Sequence, residues 1–158
     1  MRAALVVAVL AQAASAQARP IEKGAFGIGL VLGEPTGISA KLYFKDDQAL
    51  QASLGGVFIN TGYIFDLDYL FHPWILTEKD EFVLPVYLGP GVRFVDYQAG
   101  GASYFAPGLR AVIGLLFDFK KAPLDTFVEA GPAIEYRFGG HGGTSAAFSG
   151  GIGLRYYF

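Results

Sequence analysis

The sequence predicts an all-β fold: an eight-stranded antiparallel up-and-down transmembrane β-barrel, preceded by a cleavable signal peptide. Three observations predict it. Hydrophobic residues make up 53% of the 158 and charged residues only 16%, which is too apolar for an ordinary soluble domain. Yet past the N-terminus no apolar run reaches the roughly 18 residues that suggest a spanning helix. The chain closes on Gly151-Ile152-Gly153-Leu154-Arg155-Tyr156-Tyr157-Phe158, which alternates bulky apolar with small or polar residues and stops on an aromatic. That is the form of a terminal strand read by the outer-membrane assembly machinery, with Gly153, Tyr156 and Phe158 as its marks.

Residues 1–18 are expected to be a secretory signal peptide, with Arg2 at the start, an apolar stretch from Ala3 to Ala11, and Ala14-Ser15-Ala16 or Ala16-Gln17-Ala18 as cleavage site. Residues 19–158 are then one barrel domain. The first segment covers 24–32 and ends at Gly33-Glu34-Pro35-Thr36-Gly37, a tight turn. The second covers 38–45 and ends at Asp46-Asp47; the third covers 49–59 and ends at Asn60-Thr61-Gly62. The fourth covers 63–72, with one longer connection from His72 to Glu81. The fifth covers 82–96 and ends near Gly100-Gly101; the sixth covers 103–119 and ends at Lys120-Lys121-Ala122-Pro123. The seventh covers 124–138 and ends in the glycine-rich stretch 139–143; the eighth covers 145–158. Pro85, Pro90, Pro107 and Pro132 fall inside these segments, where each removes a ladder donor. A turn at Gly89-Pro90-Gly91 would change the strand count, but parity continuing from Phe82 to Phe94 favours one strand.

Side chains on a strand alternate faces, so parity decides the period. One face of the seventh segment reads Leu124, Thr126, Val128, Ala130, Pro132, Ile134, Tyr136, Phe138; the other carries Asp125, Phe127, Glu129, Ala133, Glu135, Arg137. The other segments split in the same way. Aromatics mark the ends of the uncharged face and aliphatics its middle, as Phe105 and Phe117 bracket Leu109 to Leu115. Aromatic rings favour the two membrane interfaces, so this is a barrel girdle.

The inward face is expected to hold Lys41, Arg93, Arg110, Arg137 and Arg155 against Asp66, Asp68, Asp118, Asp125, Glu129 and Glu135. An eight-stranded lumen is just wide enough for side chains to fill, and near-balanced charges there pair with one another, because a buried unpaired charge costs several kcal/mol. A proton or ion path is the functional alternative. Catalysis has little support. His141, near Thr144, Ser145 and Ser149, sits in a glycine loop, and His72 with Trp74 reads as an interface anchor. No catalytic residue, metal or cofactor is therefore assigned, and the net charge of −2 with no basic cluster gives no nucleic-acid partner. The expected partners are outer-membrane lipid, periplasmic chaperones and the barrel assembly machinery, in the Gram-negative outer membrane. A lipid-modifying enzyme, a narrow channel and a periplasmic lipocalin-like carrier are the rival readings.

Gly33-Glu34-Pro35-Thr36-Gly37, Leu84-Pro85-Val86-Tyr87, Ala122-Pro123-Leu124-Asp125-Thr126-Phe127-Val128-Glu129 and the closing Gly-x-Gly-x-Arg-Tyr-Tyr-Phe carry a resemblance. Through them the chain resembles a family of small outer-membrane β-barrel proteins of Gram-negative bacteria, generally without assigned activity. The resemblance covers nearly all of residues 19–158 and implies an eight-stranded barrel of the general OmpA/OmpX type, with no catalytic residues.

Overall fold

The computed structural model describes residues 25–57, 61–139 and 142–158. The expected signal peptide, residues 1–18, and His141 lie outside the described residues. Eight strands follow in order: β1 (Phe26–Gly33), β2 (Thr36–Lys45), β3 (Gln48–Gly56), β4 (Thr61–Glu78), β5 (Phe82–Ala99), β6 (Ala102–Phe119), β7 (Leu124–Arg137) and β8 (Gly143–Tyr157). Each pairs antiparallel with its sequence neighbour. β1 closes the ring on β8, from Gly27↔Tyr157 to Gly33↔Gly151.

The alternation read from the sequence is the alternation of the two faces. On β6, Arg110, Val112, Gly114, Leu116 and Asp118 are buried, while Leu109 and Ile113 are exposed. On β1 Val31 is 3% exposed, against 65% for Leu30 and 63% for Leu32. Large apolar side chains thus cover the outside of the ring and charges fill the inside. Two apolar clusters cap the lumen. Tyr43, Leu70, Leu116, Phe127 and Tyr157 belong to the larger one, in the half nearer the chain termini. Ile64, Val95 and Ala106, on adjacent strands, form the smaller one toward the other end.

Turn chemistry fits the connections. Gly100 and Gly101 join β5 to β6 with φ of 59° and 80°, backbone that two glycines adopt without Cβ strain. At the β1–β2 turn, Thr36 Oγ1 donates to Gly33 O at 2.6 Å and accepts from Gly33 N at 3.1 Å. The longer connection expected from His72 to Glu81 is not there. β4 runs on to Glu78, and Lys79 to Glu81 make the turn, closed by Lys79 N to Phe82 O at 2.9 Å. β4 outlasts β3, whose pairing stops at Gln48↔Phe71.

The prolines are accommodated by gaps in the ladder rather than by turns. β5 is continuous through Pro90. Its pairing with β4 skips from Asp68↔Gly91 to Phe71↔Leu88, while its pairing with β6 runs unbroken through Pro90↔Ala111. Pro132 on β7 does the same: the β6 ladder skips from Arg110↔Ala133 to Ile113↔Ala130, and the β8 ladder continues through Pro132↔Phe148. A proline lacks only the donor on one edge, so one ladder opens and the other holds.

Candidate functional site: the charged lumen

The register sets large inward side chains beside glycines. Gly27 lies opposite Tyr157, Gly153 opposite Phe127, Gly114 opposite both Tyr87 and Glu129, and Gly91 opposite both Asp68 and Arg110. A Cβ on Gly27 would come within 2.7 Å of the Tyr157 ring, so the ring lies over the glycine. An eight-stranded lumen is just wide enough for side chains to fill, and these glycines make room for the largest of them.

Arg155 on β8 stands in register with Asp125 on β7. Its Nε donates to Asp125 Oδ1 at 3.0 Å and its Nη2 to Oδ2 at 3.3 Å, a bidentate pair. Nη1 donates to Gln51 Oε1 at 2.6 Å on β3 and reaches Ser39 Oγ at 3.4 Å on β2. The guanidinium lies 4.0 Å over the Phe127 ring, and the Tyr157 hydroxyl donates to Asp125 Oδ2 at 2.5 Å. Arg155 and Asp125 are both fully buried.

Glu129 joins this group to its neighbours. Its Oε2 accepts from Gln51 Nε2 at 2.8 Å and from the Tyr87 hydroxyl at 2.6 Å. Its Oε1 lies 3.7 Å from Arg110 Nη2. Arg110 also bonds Asp66 through Nη1 and brings Nε to 3.3 Å from Asp68 Oδ1. Arg93, the register partner of Asp66, lies 3.8 Å from that carboxylate, 3.1 Å from Glu135 and 3.4 Å from Glu34. Five carboxylates, Glu34, Asp66, Asp68, Glu129 and Glu135, thus share two guanidiniums. Toward the terminal end, Lys41 Nζ stands 2.9 Å from His72 Nε2, over the rings of Tyr43 and Tyr87 at 4.8 and 4.7 Å. Asp118 is buried at the same end of β6.

Two placements differ from the sequence reading. Arg137 points along the inward parity but is exposed at the mouth, outside the buried network. Parity gives a face, not a depth. His72 is no interface anchor. It is 8% exposed, and its Nδ1 lies 3.1 Å from Asp47 O. Trp74, two residues on, is exposed on the outer face. The inward parity of Asp66 and Asp68 continues through Leu70 to His72, the signal that would have placed it.

Residues missing from the sequence reading of the network are Ser39, Gln51, Tyr87 and Tyr157, all on inward positions, and Glu34. Glu34 sits in a turn, where parity says nothing, yet it reaches Arg93. Of the terminal-strand residues, Gly153 faces the Phe127 ring, while Tyr156 and Phe158 are exposed outside and pack edge to face, 5.1 Å between centroids.

Chemically the arrangement is a network of buried ion pairs: Arg155 holds Asp125, Arg93 holds Glu135, Glu129 is held by Arg110, Gln51 and Tyr87, and the paired Asp66 and Asp68 both face Arg110. No group of three His, Cys, Asp or Glu suited to a metal ion occurs among the described residues. Comparison with protein families, curated proteins and solved structures gave no match to this chain.

Proposed function

We propose that this chain is an integral outer-membrane β-barrel protein of structural or interaction type, its lumen sealed by ion pairs and its wall solvated by lipid. One observation carries the reading: the faces are inverted relative to a water-soluble protein. Arg93, Arg155, Lys41, Asp66 and Asp125 are among the most buried side chains, while Leu109, Ile134, Phe148, Ile152 and Leu32 are more than half exposed. Charges inside and aliphatics outside suit hydrocarbon as the solvent. A carrier with an apolar interior requires the opposite arrangement. The aromatic pairs Phe82–Phe117 and Tyr156–Phe158 near the terminal end, and Phe94–Phe105 and Tyr136–Phe138 near the other, support interface belts.

On this reading the even strand number leaves both termini in the periplasm, after delivery by chaperones and folding by the barrel assembly machinery. Such a barrel is of the general OmpA/OmpX type. The test is membrane fractionation with heat-modifiable gel mobility. The protein should stay with outer-membrane fractions through a carbonate wash, and the unheated band should migrate apart from the boiled one. Release into the periplasm, or a folded monodisperse chain in buffer without detergent, overturns the proposal.

A further inference from the structure

We propose that the mouth opposite the termini binds a small zwitterion of amino-acid size. A cavity of about 260 Å³ opens there. That lies below the roughly 300–1,000 Å³ of sites that take drug-sized molecules. Ring order sets its two walls. Val57, just past β3, and Val95 and Tyr97 on β5 form one. Glu34 at the β1–β2 turn and Glu135 and Arg137 on β7 lie across the barrel from them.

The charged wall is layered. At its base is Arg93, with a side chain 1% exposed, shared by Glu34, Glu135 and Asp66. Three carboxylates on one guanidinium leave negative charge over, and Glu34 and Glu135 carry it to the cavity surface. That layer suits an ammonium group. Two residues along the same face of β7, about 7 Å at the ordinary strand rise, comes Arg137. It is exposed, lines the cavity and is not among the ion-paired cations of the described network. That layer suits a carboxylate. The spacing is bridged by an α-amino acid whose ammonium points inward and whose carboxylate points outward, with a charge-assisted hydrogen bond of about 2.8 Å at each end. Val57, Val95 and Tyr97 then offer apolar surface to an aliphatic side chain. The site is built by one end of the barrel alone and does not depend on what solvates the wall.

The experiment uses the full mature chain in a non-ionic detergent, because a zwitterionic detergent would compete. L-Leucine is titrated while the methyl resonances of Val57 and Val95, and of Ala146 and Ala147 on β8, which also line the cavity, are followed. Isovalerate and isopentylamine, each keeping one of the two charges, are titrated in parallel. The proposal expects saturable shifts with leucine and affinities weaker by about tenfold or more, roughly 1.4 kcal/mol, for both single-charge analogues. Arg137→Gln should weaken leucine by about the same factor and leave isopentylamine unchanged. Glu34→Gln should weaken leucine and isopentylamine together. Arg137 is exposed and Glu34 is half-buried, and unaltered heat-modifiable mobility verifies the fold of both variants. No saturation with leucine, equal binding of isopentylamine, or an Arg137→Gln variant that binds leucine as before overturns the proposal.

Discussion

The Tyr87 hydroxyl donates to Glu129 at 2.6 Å across a glycine, Gly114, that is the register neighbour of both. A Cβ on Gly114 would come within 2.7 Å of Tyr87 Cε1 and closer still to other atoms of the ring. Gly114→Ala should therefore cost about 1–3 kcal/mol, the usual range for overpacking. Gly143→Ala, where an added Cβ meets no atom within 4 Å, should stay within about 0.5 kcal/mol. Urea unfolding from lipid vesicles measures both, and equal costs would mean that the Tyr87 ring is not held over Gly114.

Removing one partner of a buried pair strands the other. Asp125→Ala should destabilise by about 3–5 kcal/mol, because Arg155 loses its bidentate carboxylate and Tyr157 its acceptor. Replacing both, as Asp125→Leu with Arg155→Met, should cost less than the two single changes added together. A strictly additive double variant, seen in the same unfolding assay, would contradict the coupling.

Val128 is 45% exposed on the outer face of β7, and Ala133 on the inner face is 3% exposed. Val128→Arg should cost about 2–4 kcal/mol if that position meets the hydrocarbon midplane, and Ala133→Ser should cost much less. Equal penalties would mean that the outer face does not meet lipid.

The terminal aromatic separates assembly from stability. Phe158 is 71% exposed, and its N donates to Phe26 O at 3.0 Å. Phe158→Ala keeps that backbone bond. It should lower the assembled fraction in cells while refolding into vesicles proceeds nearly as for the parent chain. An unchanged cellular yield would remove Phe158 from the assembly signal.

Face assignments were legible because an uncharged row on every second residue fits only the strand period, and the prolines did not disturb it. Heights along the barrel were less legible. Arg137 shares its parity with Glu129 and Glu135 yet stands in the open mouth. The end of β4 is not legible in the sequence, because a proline follows His72 directly. Pro73 instead falls where the β4–β5 register shifts between Phe71 and Trp74, so the strand passes through it. Glu34 could not be read at all, since a turn residue reaches across the lumen only once the ring has closed. The pairing of Arg155 with Asp125 was within reach, both being inward and at matching depth from their strand ends; its bonds to Gln51 and Ser39 depended on curvature that no linear pattern carries.

Arg155 comes from β8, the last strand, and gathers Ser39, Gln51 and Asp125 from β2, β3 and β7. The Asp125 pair is made within the β7–β8 hairpin and needs no closure. The bonds to Ser39 and Gln51 reach past the β1–β8 seam to β2 and β3, so they form only when the ring has closed. One guanidinium thus fastens the last strand to the second and third, from the inside.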